Sequence, residues 1–179
     1  MVTPLFQNLK FPKVGVRIYK TLLSVFIIVM SYEYLFNGRN PCFACIGAVF
    51  GLGNVFKDGI KSGGNRFVGT LLGGLVVIPV YWLYYNTAIP LFKYIWVLLG
   101  LFCVIYVNLM FGVGSAIQPG TVVYFVVMYT VTNERFISYT IARIIDTGVG
   151  VLLSLFINMV FPSPHETVDI RREIRRKLI

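Results

Sequence analysis

The sequence predicts an all-α polytopic membrane protein of six transmembrane helices, and three observations carry that prediction. Hydrophobic residues make up 57% of the chain and charged ones 13%, where an ordinary soluble domain carries roughly a quarter charged; the mean hydropathy is +0.78. Between Phe67 and Val131 the only Lys, Arg, Asp or Glu is Lys93. Water would drive so long an uncharged apolar stretch to aggregate, and lipid removes the conflict. Lastly, six apolar runs approach the ~20 residues that cross a hydrocarbon core, with short links between them. The 179 residues hold one domain, 1–162, with a basic tail at 163–179.

The first run spans Val14 to Phe36 and breaks at Asn37, Gly38 and Pro41. It carries Arg17 and Lys20 and lacks a small-residue cleavage site, so it predicts a retained helix and not a secretory signal. The second run extends from Pro41 to Phe56, before a polar stretch from Lys57 to Arg66 that predicts a cytoplasmic turn. Phe67 to Tyr85 forms the third, with Pro79 a predicted kink. Asn86 to Pro90 separates it from the fourth, Leu91 to Phe111. The fifth covers Gly114 to Thr132, its start interrupted by Gln118, Pro119 and Gly120, and the sixth runs from Phe136 to Phe161.

Basic residues orient the bundle. With the amino terminus inside, the cytoplasmic segments hold 12 of the 16 Lys and Arg, and both termini are cytoplasmic. The net charge of +9 therefore reflects membrane topology. No stretch joins basic residues to exposed aromatics on a polar scaffold, which excludes a nucleic-acid binder. The rings from Tyr81 to Tyr85, with Tyr94 and Trp96, fall at outer helix ends, where amphipathic rings favour the headgroup level. In the tail, Ile170, Ile174 and Leu178 share a stripe flanked by arginines, predicting an amphipathic helix on membrane lipid or against another subunit.

Candidate functional residues follow from spacing. Arg and Thr recur four apart, one helical turn, at Arg17 and Thr21, Arg66 and Thr70, and Arg143 and Thr147. For the first two, headgroup contact by Arg and a bond from Thr to its own helix form the simpler account. Arg143 lies deeper, at the outer end, and brings Asp146 at i+3 and Thr147 onto the same face. Paired intramembrane charges face a bundle interior or a wet cavity. They can fix packing, or hold a proton-titrating carboxylate beside a cation that meets an anionic substrate. Glu33 is a second carboxylate near the end of the first helix. The candidate substrate or ion path is thus Arg143, Asp146, Thr147, Glu33 and Arg66. Gly47 with Gly51, Gly69 with Gly73, and Gly150 with Ser154 stand at helix-packing spacing.

No enzyme constellation emerges, and no cofactor or metal is expected. Cys42 and Cys45 lack a second ligand pair. The segment from Lys61 to Arg66 faintly echoes a phosphate loop of membrane acyltransferases, without that family's further loops.

Four segments carry a family resemblance: Gly15 to Thr21, Asn40 to Val49, Gly59 to Thr70, and Arg143 to Gly150 with Asn158 and Pro162 after it. In order and spacing, residues 14–162 resemble the membrane domain of the bacterial aromatic acid exporter family, within the fusaric acid resistance-like superfamily. The resemblance implies a six-helix inner-membrane domain, and export of small aromatic carboxylates for some members. Similar proteins usually continue into a cytoplasmic helical domain where this sequence has its short basic tail. The link from Gly112 to Ala116 also lacks the basic residues expected there. Longer relatives carry two such halves, which implies that a single half pairs with a copy of itself. The expected function is efflux of small anionic substrates, aromatic acids among them, coupled to protons and carried out by a homo-oligomer in the plasma membrane. The rival is a non-transporting scaffold or assembly subunit. A water-filled path to Arg143 and Asp146 would favour transport, and a dry, packed interior the scaffold.

Overall fold

A computed structural model describes residues 15–36, 39–53 and 56–162. Six α-helices account for most of them: α1 (Val16–Tyr34), α2 (Cys42–Gly51), α3 (Phe56–Asn86), α4 (Pro90–Met110), α5 (Ile117–Thr130) and α6 (Phe136–Val160), with a 3₁₀ turn at Gly114–Ala116 before α5. No strand occurs among the described residues.

Three of the six, α3, α4 and α6, are long and apolar enough to cross a membrane. The expectation of six full spans is therefore met only in helix number. With 10 and 14 residues, α2 and α5 reach ~15 and ~21 Å, short of a hydrocarbon core of ~30 Å. Apolar run length overstated the second helix because the run continues past its end: Gly51 is the last helical residue and Leu52 is extended. The polar stretch from Lys57 to Arg66 is not a turn. It is the first third of α3, 31 residues long and thus ~46 Å.

Glycine explains that correction. Gly59 and Gly63 bring α3 against the backbone of Gly51, with no room for a side chain between them. The same close approach recurs elsewhere. Gly47 lies on the Thr147 carbonyl, Gly150 on the Ala44 carbonyl, Gly69 on Ala116, and Gly73 on Gly120. Lipid supplies no hydrophobic drive between helices, so dispersion at close backbone distance must hold them. All five glycines anticipated for packing make close contacts within the chain.

The centre is the antiparallel pair α3 and α6. The short helix α2 packs most extensively on α6, and α5 on α3, while α1 and α4 lie at the flanks. Tyr81 is a core residue and not a headgroup anchor: it is 2% exposed, stacks on Phe136 at 4.5 Å and donates to the Val131 carbonyl at 2.9 Å. Trp82, Tyr85 and Tyr94 remain exposed. The predicted tail and the lysines before Val14 lie outside the described residues.

A candidate carboxylate path

Helix α1 buries a single stripe, Lys20, Ser24, Ile28 and Tyr32, four residues apart and hence on one face. That stripe docks antiparallel on α6. At the inner end Lys20 donates to Asn158 Oδ1 at 2.9 Å. At the outer end the Tyr32 hydroxyl donates to Asp146 Oδ1 at 2.8 Å.

Asp146 is 1% exposed and gathers two guanidinium groups besides. Arg39 Nη2, from the link before α2, lies 3.0 Å from Oδ1, and Arg143 Nη2, one turn earlier on α6, lies 3.3 Å from Oδ2. Arg143 is sandwiched: its guanidinium carbon sits 4.4 Å from the Phe43 ring centre and 4.6 Å from that of Tyr139. Ring faces stabilise a desolvated cation. Two arginines against one carboxylate leave the cluster with a positive excess. Arg143 Nε has no acceptor.

The structure brings together Arg143 and Asp146, with Thr147 buried beside them and bonded to the Arg143 carbonyl at 2.8 Å. Thr21 bonds the Arg17 carbonyl in the same way. Buried Thr70 does not, and its hydroxyl has no partner. Glu33 is exposed on the outer side of α1 and stands apart from the cluster. Sequence reasoning missed Tyr32, which its four-residue register with Lys20 could have revealed. It also missed Arg39, for which no local signal exists.

Arg66 occupies a different place. It is half-buried on α3, its guanidinium carbon 4.6 Å from the ring centre of Phe50. Around it opens a cavity of about 390 Å³, walled by Phe50, Ser62, Asn65, Ser115, Gln118 and Pro119 among others. Asn65 donates to Ser115 Oγ at 2.6 Å across it. No carboxylate among the described residues pairs with Arg66, and its Nε lacks an acceptor. A cation on an aromatic face, beside hydroxyl and amide groups, suits a carboxylate on an aromatic ring. This open space lies at Arg66; in the other cluster Asp146 is 1% exposed while the Arg39 side chain keeps 38% of its surface exposed.

Cys42, Cys45 and Cys103 are free thiols, and no trio of metal-ligating side chains converges among the described residues. No curated relative and no solved structure matches the chain. A family model does: that of aromatic acid exporter family member 1 matches residues 12–161, a stretch that takes in every helix among the described residues and both arginine sites. The chain belongs to the aromatic acid exporter family.

Proposed function

We propose that this chain exports small aromatic carboxylates across the bacterial inner membrane, taking them from the cytoplasm at the Arg66 cavity. Family membership supports a transporter over an enzyme. One observation carries the substrate class: Arg66, without a carboxylate partner among the described residues, rests on Phe50 in the wall of a 390 Å³ cavity. A half-buried cation left without an anion is costly, and a substrate carboxylate offsets that cost.

In this reading α1 starts, and α6 ends, on the cytoplasmic side, which the basic bias of the sequence supports. In this reading Asp146 couples export to protons. It is the only buried carboxylate among the described residues, and its charge offsets one of the two cations, Arg39 and Arg143, that it meets. The working unit is a homo-oligomer.

Efflux of radiolabelled benzoate from proteoliposomes tests the reading. Arg66→Gln is expected to slow it about tenfold or more, the effect of losing one charge-assisted hydrogen bond. Asp146→Asn is expected to flatten its dependence on pH. An Arg66→Gln protein that is folded and transports benzoate at the wild-type rate would remove the proposal.

A further inference from the structure

The packing relates the first three helices to the last three. Gly47 and Gly51 meet Thr147 and Ser154, so α2 runs parallel to α6; Gly69 and Gly73 meet Ala116 and Gly120, so α5 runs parallel to α3. In each half the middle helix is short, and it lies on the third helix of the other half. Lys20 with Asn158 and Tyr32 with Asp146 set α1 antiparallel to α6. Gly100 against Tyr124, with Asn108 near Gly120, sets α4 antiparallel to α5 and hence to α3. Directions therefore alternate along the chain, and α4, α5 and α6 repeat α1, α2 and α3 upside down. Such inverted repeats place a binding site where the halves meet.

The repeat extends to the residues. On α3 the order is Arg66, Gly69, Thr70, Gly73, and on α6 it is Arg143, Asp146, Thr147, Gly150. Gly73 and Gly150 each abut a carbonyl of the short helix from the opposite half. Apart from the repeat, both arginines lie over phenylalanines of α2, Arg66 over Phe50 of its own half and Arg143 over Phe43 of the opposite half. Those rings are seven residues apart, two turns along one face and ~10 Å. Among these four positions the two helices differ at one: α6 has Asp146 where α3 has Gly69.

We infer that Arg143 is a second carboxylate-binding position, equivalent to Arg66 by the inverted repeat and occupied here by the chain's own Asp146. The carboxylate of Asp146 occupies the outer position, whereas the equivalent Gly69, packed on Ala116, brings no carboxylate to Arg66. Two observations point to a ligand at Arg143: the cluster keeps a positive excess with Asp146 in place, and the buried Arg143 presents an unpartnered Nε. The aromatic faces of Phe43 and Tyr139 match the ring of the same substrate class. The inference takes that class from the proposed function, but its test does not depend on Arg66.

The probe is 4-fluorobenzoate, its bound equivalents counted by fluorine NMR on the protein in nanodiscs. The wild type is expected to bind one equivalent and Arg66→Gln none. Arg66→Gln combined with Asp146→Asn is expected to regain one equivalent, which is lost again when Arg143→Gln is added. A folded Arg66→Gln, Asp146→Asn protein that binds nothing overturns the inference. If that variant does not fold, Asp146→Gly, which places on α6 the residue that α3 carries at position 69, replaces it. In the Arg66→Gln background it should likewise regain the one equivalent, and a folded protein that binds none overturns the inference. A wild type that binds nothing would instead count against the Arg66 site, and the Arg143 site is still decided by the Asp146→Asn count.

Discussion

Asp146 receives the Tyr32 hydroxyl and two guanidinium groups, and each comes from a different level of organisation. Its pairing with Arg143 was legible because i and i+3 share a helical face whatever the rest of the chain does. Tyr32 and Arg39 reach it only once α1 has docked and the link has folded back, so neither follows from local spacing. The structure separates neighbours on α1 sharply: Tyr32 is 3% exposed, and Glu33 faces outward. Tyr32→Phe should therefore lower stability by about 1.5–3 kcal/mol, the worth of a hydrogen bond to a charged group. Glu33→Gln should leave it within about 0.5 kcal/mol, as at an ordinary surface position. Thermal unfolding of both variants in the same detergent checks the pair. Equal losses would mean that Tyr32 does not secure the carboxylate.

At the scale of elements, the order of helices and most of their ends were legible from apolar runs and from Gly and Pro breaks. The extents of α2 and of the start of α3 were not. Gly59, Gly63 and Gly64 among polar residues read as a turn, because isolated helices are weakened by glycine. Here two of the three are what lets α3 lie on Gly51, and tertiary contact overrides propensity. The third makes a control. A Cβ at Gly64 meets nothing within 4 Å, whereas one at Gly150 would run into the Ala44 backbone. Gly150→Ala should then cost about 1–3 kcal/mol through overpacking, and Gly64→Ala should be neutral or stabilising by up to about 1 kcal/mol. Thermal unfolding again reads the difference. The same geometry bears on assembly. Because α2 and α6 use their glycines on each other, Gly150→Ala should shift the melting temperature and leave the particle mass, read by native mass measurement in nanodiscs, unchanged.

For the whole molecule, composition sufficed to mark a membrane protein, because it follows from summed solvation and not from folding detail, and the charge bias predicts that both ends face the cytoplasm. Lys20 beside Asn158 also puts the start of α1 and the end of α6 at one level. Labelling of single cysteines placed at Gly15 and Pro162 should therefore occur from the cytoplasmic face for both. What the sequence could not convey is where the bundle leaves room. Arg66 resembled any headgroup-facing cation until α2 set Phe50 beside it and α5 closed the far wall. The central claim is that this space takes an aromatic carboxylate from the cytoplasm. It is tested most directly by alkylation of Ser115→Cys in a background lacking Cys42, Cys45 and Cys103. The residue should react from the cytoplasmic face, and benzoate should slow the reaction while benzamide does not. That protection should vanish in Arg66→Gln. Reaction only from the outer face, or at a rate indifferent to benzoate, would contradict the account.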